Sequence, residues 1–384
     1  MDKKIKVAFL DYSPHYAGAE RAMETILTHL DRVRYEPYLV APVPRSHYAR
    51  FESAGLKIFY LNNRIKWWMG RLRWRRPLRG TDLLMRTLCG IQLLRFLRRR
   101  GIRILHVNLL RPDSFMWVLP VHWAGIKVVG HFRSLPESWV PPVRVQKRCD
   151  AIICVSHIVK EHLLSIYPHP WSRVIYDAVS LELVKEAKSE SRRKLGFHEE
   201  RRLIASVGAL SPIKGHDNAI RAFALLAGQF PRYDLLIAGG ESKDEVQRLR
   251  NIAAEYPVLD GRVFYTEHQI AHVARVYNAS DIVLSLTKEG EAFGLVPLEA
   301  ALAGTPSVVP LRGAIVEFTE HNRSAFWVET NSVEEISSMI IRLLSAPDHA
   351  AEVCANLRKI VTEKFSVEAH VKQIENLYEE LMKL

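Results

Sequence analysis

"RRLIASVGALSPIKG", residues 201–215, is an apolar run of strand length that stops at a glycine. A short polar loop follows, and Lys214-Gly215 opens the next helical pattern. A strand feeding a helix through a short loop is half of a βαβ unit. The rhythm continues downstream. "YDLLIAGG" is read as a strand and 242–256 as a helix. "RVFYTE" precedes a helix near 269–278, "DIVLSL" precedes one near 296–303, and "PSVVPL" is a further strand. Helices near 333–345 and 347–363 and a final amphipathic stretch, "VEAHVKQIENLYEELMKL", complete this half. Upstream, "IKVAFLDY", "EPYLVAP", "KIFYLN", "IRILHVN", "IKVVGHF" and "DAIICVS" alternate with helical stretches in the same way. "SRVIYDAVS" begins a connector. The reading is α/β, with two doubly wound parallel-sheet domains and a seam near 170–190. Ligands of such sheets sit beyond the carboxyl ends of the strands. Two of them facing each other predict a central cleft as the binding site.

The 384 residues are 48% hydrophobic and 25% charged, as expected of a globular chain with two cores. No run approaches the ~18 apolar residues of a membrane span. The opening "MDKKIKVAFLDY" reads as a first strand, not a signal peptide. Cys89, Cys149, Cys154 and Cys354 have no zinc-like or CxxC spacing and read as free thiols of a cytoplasmic protein.

Charge is distributed unevenly. Residues 1–170 hold 29 lysines and arginines against 12 acids, whereas the remainder holds 25 against 30. Within 62–103 there are 13 basic side chains and one acid, Asp82. Its centre, "RIKWWMGRLRWRRPLRG", interleaves Trp67, Trp68 and Trp74 with arginines. That composition suits an anionic membrane surface. Stacking on RNA and a solvated basic helix face are the other two readings. No nucleic-acid module signature accompanies it, so no nucleic-acid partner is expected.

Four stretches carry candidate chemistry. In "EAFGLVPLEAALAGTP", residues 291–306, Pro297 suits a first helical position, and Gly304 and Pro306 suit a stop. Phe293, Gly294 and Leu295 then lead into a helix N-terminus, whose free N–H groups favour an anion. Glu291 lies before that helix and Glu299 is placed in its first turn. For Glu299, complementing the helix dipole is the plain alternative, and for Glu291 a solvated loop acid. In 206–215, Gly208 ends a strand and Lys214 can meet a phosphate as a point charge; a surface lysine is the alternative. The spacing is not that of an NTPase phosphate loop. In "YSPHYAGAERAM", Gly18 and Ala19 open a helix at a strand's carboxyl end, without a dinucleotide fingerprint. In "VVGHFRS", His131 stands at a strand end, followed by Arg133 and Ser134. His106 is similarly placed.

These residues resemble the retaining glycosyltransferases of family 4, which have the GT-B fold (glycosyl transferases group 1). "EAFGLVPLEAALAGTPSVV" is similar to that family's E-x7-E block. "AGAER", "CVSHIVKEHL", "VGALSPIKG" and "RGAIVEF" support the match. The resemblance is strong over 203–318 and weak over 45–105. It implies two Rossmann-like domains: 1–174 for the acceptor and 175–365 for the nucleotide sugar, with 366–384 closing back as a helix on the first. It also implies that Glu291 binds donor-sugar hydroxyls and that Glu299 accepts from the ribose. Phe293, Gly294 and Leu295 would lie against diphosphate and sugar, with Gly208 and Lys214 at the diphosphate. His131 would approach the transferred sugar, and Gly18 and Ala19 would form the acceptor and phosphate loop. The catalytic set implied is His131, Glu291 and Lys214, with no metal and no cofactor. The activity implied is sugar transfer from a nucleotide-diphosphate donor, such as a UDP-sugar, to a lipid-linked or polysaccharide acceptor. Lipopolysaccharide-type synthesis at the cytoplasmic membrane face, as a peripheral protein, fits this picture.

The chain departs from the family at Ala209, where an arginine is usual, at "IYDAVS" in the linker, and near 322–328. Arg312 or another cleft arginine is a candidate to replace the missing charge. The rival readings are a weakly active nucleotide-sugar-binding or membrane-surface scaffold protein, and a GT-B phosphorylase or epimerase.

Overall fold

The computed structural model describes residues 4–13, 16, 18–61, 79–111, 114–135, 143–180, 182–240, 242–266 and 273–384. The side chains of 79–89 and of 115–117 and 119 are not described. The tryptophan-rich centre of the basic segment, 62–78, lies outside the described residues. The helix expected near 82–100 is Arg79–Arg100.

Two compact units make up the chain: Met1–Ala178 with Val367–Leu384, and Val179–Ser366. Each is built on a parallel, Rossmann-like sheet. The first sheet has the strand order β3-β2-β1-β4-β5-β6-β7. Its members are β1 Ile5–Leu10, β2 Tyr35–Ala41, β3 Lys57–Tyr60, β4 Ile104–Val107, β5 Lys127–Phe132, β6 Ala151–Cys154 and β7 Ser172–Val174. The second is β10-β9-β8-β11-β12-β13. Here β8 is Arg202–Val207, β9 Tyr233–Ala238, β10 Val263–Tyr265, β11 Ile282–Leu284, β12 Ser307–Pro310 and β13 Phe326–Val328. In both, the strand order reverses beside the first strand, between β1 and β4 and between β8 and β11. Loops leave that point on opposite sides of the sheet, which opens room for a ligand.

Helices cover both faces of each sheet, so the strands are apolar on both sides. Alternation along β8 shows this directly. Ile204 belongs to one buried cluster, with Leu235, Ile237 and Leu284. Leu203, Ala205 and Val207 belong to the other, with Leu236, Val283 and Ala300. Helix starts follow local chemistry. Ser242 accepts from Glu245 N and Ser332 from Glu335 N, both in the S-x-x-E spacing of a capping box.

β7 and β13 were not anticipated as strands. Each is three residues long, too short for a periodic signal, and is recruited by pairing with a formed neighbour, β6 or β12. β7 extends the first sheet into the stretch read as connector.

The Val367–Lys383 helix belongs to the first unit. Val371, Ile374, Leu377, Tyr378 and Leu381 form one helical stripe in the core that also holds Val7, Phe9, Tyr35 and Leu39. Polar contacts add to this packing. Glu375 accepts from Asp31 N at 2.8 Å, and Arg34 pairs with Glu379. Ile374 is fully buried, and Ile374→Ala should cost about 2–5 kcal/mol. Urea unfolding followed with a probe in the first unit checks this; a loss below about 1 kcal/mol would contradict the packing described.

Candidate functional site

In the Val179–Ser366 unit, the loops after β8 and β11 leave from the strand-order reversal, and the predicted donor residues lie on them. Gly208 follows β8, and its N–H donates to Ala238 O at 3.0 Å. The 208–214 loop closes with a single turn, Pro212–Lys214, and then the His216–Leu226 helix starts. His216 is buried and fastens this loop. Its Nδ1 lies 2.8 Å from Ser206 Oγ, and Nε2 lies 3.2 Å from Ala209 O. A carbonyl only accepts, so Nε2 carries the proton and Nδ1 takes the serine hydroxyl. Burial pushes the His216 value down to about 4, so the ring is neutral.

Lys214 meets Glu291 directly, with Nζ 2.6 Å from Oε1. Thr287 joins both: its hydroxyl donates to Glu291 Oε1 and lies 3.4 Å from Lys214 Nζ. Lysine and glutamate are each about a quarter exposed, so the pair is reachable from solvent. The backbone of Glu291 is held too. It forms an isolated parallel bridge with Gly313, and its carbonyl accepts from Ala314 N at 2.9 Å. Gly313 has φ +89, and a Cβ there would sit 2.5 Å from Glu291 N. Only glycine permits this approach, which is the physical reason for the glycine in "RGAIVEF".

Gly294, at φ +88, turns the chain into the Leu295–Leu302 helix, and no side chain caps that N-terminus. Its first N–H groups are therefore anion donors in waiting. The Phe293 ring faces inward, edge-on to Phe365 at 5.3 Å and 6.1 Å from Phe318. The ring anchors the loop and leaves the main chain as its chemical face. Two expectations need correction. The helix begins at Leu295, so Pro297 is its third residue and not its first. Glu299 is consequently beyond the first turn. It is buried, and Oε2 accepts from Tyr277 OH at 2.8 Å.

Arg312 pairs with Glu329. Its partner is thus not the Lys214–Glu291 group. Thr287, Tyr277 and His216 were missed as site residues. A threonine four residues before Glu291 was the only available signal. A tyrosine 22 positions from its carboxylate leaves none.

In the other unit, Gly18 and Ala19 begin the Gly18–His29 helix beyond the carboxyl end of β1. Asp11, at that same strand end, accepts from Tyr48 OH at 3.0 Å and Ser13 N at 3.3 Å. Burial, with the Glu20 charge, raises the Asp11 carboxyl to about 6. His131 is the next-to-last residue of β5 but is fully enclosed, not presented on an open loop. It lies among His106, Arg133 and Asp177. Burial, followed by the Arg133 charge, pushes both imidazoles well below the usual histidine value. Asp177, from "IYDAVS", pairs with Arg133.

Among the described residues, no cluster of three or more His, Cys, Asp or Glu could hold a metal ion. No helix among them is long and apolar enough to cross a membrane.

The family model "Glycosyltransferase Family 4" matches residues 16–183, and "Glycosyl transferases group 1" matches 187–364. The chain belongs to the GT-B glycosyltransferases. An uncharacterised glycosyltransferase of Methanocaldococcus jannaschii is 28% identical over 240 residues, 61% of this chain and 60% of that protein. The D-inositol 3-phosphate glycosyltransferase of Mycobacteroides abscessus is 28% identical over 54% of this chain and 49% of its own length. The chain thus spans about half to three-fifths of these relatives. N-acetyl-alpha-D-glucosaminyl L-malate synthase of Bacillus anthracis is 24% identical over 74% of this chain and 77% of its own. Among solved structures, Anabaena HepE with UDP and glucose superposes with a TM-score of 0.81 at 19% identity, covering 98% of this chain and 99% of that one. A Rickettsia africae glycosyltransferase gives the same score at 18% identity over the full length of both. Both carry the same fold.

His216 should make the second unit acid-sensitive. The unfolded chain takes up its proton near pH 6.5, the folded chain not until about 4. Its contribution is therefore complete above about pH 6.5 and is lost as pH falls through that window. The unfolding free energy from urea titrations should drop between pH 7 and pH 5, by about 2 kcal/mol from this group. His216→Gln should show a shallower acid slope; an unchanged slope would contradict the assignment.

Proposed function

We propose that this GT-B family member transfers a sugar, with retention, from a nucleotide-diphosphate donor to a lipid-linked or polysaccharide acceptor. The observation that carries the reading is the Lys214–Thr287–Glu291 knot beside the uncapped N-terminus of the Leu295–Leu302 helix. Breaking the bond between the sugar's C1 and the phosphate oxygen leaves negative charge on the diphosphate. Lys214 and the main-chain N–H groups after Phe293 are placed to receive it, the work of a preorganised anion hole. Glu291 then has two tasks. It holds Lys214 extended toward the phosphates, and its carboxylate accepts from donor-sugar hydroxyls. Glu299, positioned by Tyr277, accepts from the ribose. The acceptor hydroxyl forms the new bond to C1, and its proton passes to the leaving phosphate oxygen. No metal or cofactor enters this scheme.

Gly18, Ala19 and Asp11 are read as the acceptor side, and His131 as the first unit's contact to the transferred sugar. The basic 62–103 segment is read as holding the protein at an anionic, cytoplasmic membrane face, where a lipid-linked acceptor resides. Ala209 favours a second reading, a nucleotide-sugar binder with little turnover.

The test is a thermal-shift panel of UDP-, GDP- and ADP-sugars, followed by product analysis. One sugar nucleotide, UDP-linked first, should stabilise the protein, and Glu299→Ala should abolish the shift. Lys214→Ala should lower turnover by about 100-fold or more. The product's anomeric configuration, read by proton NMR, should match the donor's. Stabilisation without turnover would select the binding protein; no stabilisation by any donor would sink the reading. Separately, co-sedimentation with phosphatidylglycerol vesicles should be strong in low salt and weak at about 0.5 M. Equal binding to neutral vesicles would remove the membrane assignment.

A further inference from the structure

Tyr378, His106 and His131 form a buried chain in the first unit, and their hydrogen-bond directions follow one atom at a time. An arginine side chain has donors only. Arg133 Nη2 lies 3.0 Å from His131 Nδ1, so Nδ1 accepts. His106 Nε2 lies 3.2 Å from the same Nδ1. Facing a lone pair, it must carry its proton. Burial keeps His106 neutral, so its Nδ1 is bare and accepts from Tyr378 OH at 2.6 Å. Burial also pushes the Tyr378 phenol well above its usual value, so it keeps the proton it donates. His131 is left with one proton, on Nε2. That atom points toward Asp177 Oδ1 at 3.9 Å, too far for a hydrogen bond. Nε2 and Oδ1 are both buried without a hydrogen-bond partner. The remaining titratable neighbour, His370, spends its Nδ1 on Tyr176 O at 2.7 Å.

We propose that Tyr378 and His106 are positioning residues that hold His131 as a fixed Nε2–H donor and exclude it from acting as a base. Two donors, from Arg133 and His106, converge on Nδ1, so a proton cannot be added there without displacing both. The one ligand group that His131 can serve is an oxygen acceptor placed at Nε2, on the side shared with Asp177. A sugar hydroxyl has the matching chemistry: it accepts from Nε2–H and donates to Oδ1. The acceptor's proton must then go elsewhere, as the phosphate-oxygen route requires. The catalytic part of the proposal rests on reading His131 as the contact to the transferred sugar; the tautomer assignment does not.

The test uses the full chain labelled with 15N-histidine. Long-range proton–nitrogen spectra distinguish the two tautomers, and His131→Gln identifies the His131 signal by its loss. Wild-type His131 should be the neutral Nε2–H form throughout about pH 6–8, where an ordinary histidine titrates. Tyr378→Phe should give His131 a mixture of tautomers. Release of nucleoside diphosphate from the donor should fall about tenfold in kcat, with donor KM little changed, as for a lost buried hydrogen bond. A proton on Nδ1, or titration of His131 within that range, would overturn the assignment even if Tyr378→Phe failed to fold. Reduced turnover with the tautomer unchanged would overturn the positioning role. Turnover intact in His131→Gln would refute the contact to sugar while leaving the tautomer result standing.

Discussion

Glu291 is gripped from two sides, and the candidate site of the second unit is built on that grip. Lys214 and Thr287 hold its carboxylate, and Gly313 presses against its backbone. Three loops, after β8, β11 and β12, thus converge on one residue. Parallel pairing makes this possible, because it delivers all three loops to the same end of the sheet. The convergence places a cation, a hydroxyl, a carboxylate and a helix N-terminus together, yet the cation is balanced by its own protein. On the proposed function, an arriving diphosphate competes with Glu291 for Lys214, so binding and release would be a redistribution of one positive charge. A partly exposed pair suits that role better than a buried one, since the desolvation cost of separating its members is smaller.

The first unit handles polarity in the opposite way. The titratable groups around His131 are taken out of water and held neutral or paired. His106 and His131 are fully buried, and Arg133 is neutralised by Asp177. Such a network costs stability wherever a partner is missing, and His131 Nε2 and Asp177 Oδ1 are two such places. Unsatisfied polar atoms are retained where they serve something other than stability.

The sequence was a good guide wherever one local rule governed. Strand and helix alternation revealed two parallel sheets, because runs buried on both faces are conspicuous. Lys214, Glu291 and Gly294 were legible as candidates because glycines and charges at strand ends rarely have a packing reason. The failures were of two kinds. β7 and β13 are strands only because a neighbour pairs with them, and Glu299 was misplaced by a helix that starts one residue early. The partners of functional groups were mostly invisible: Tyr277 for Glu299, Phe365 for Phe293, Tyr378 for His106. Each lies far along the chain, and no spacing rule reaches that distance. Ala209 was legible as an absence, but the structure was needed to show that Arg312 is engaged by Glu329.

The closing helix has a consequence for how the molecule is made. His106 and Tyr378 are 272 positions apart, yet they share a hydrogen bond in one core. During synthesis the first unit emerges first, and the whole second unit follows before the helix that completes the first one. The early sheet must wait with the groove for Ile374, Tyr378 and Leu381 open. Chains fold by domains as they are made, and apolar surface left exposed in the interval invites misassembly. The second unit can thus mature on the ribosome, while the first, though older, finishes last. His131 acquires its surroundings only at that final step, so an interrupted chain leaves its tautomer unset.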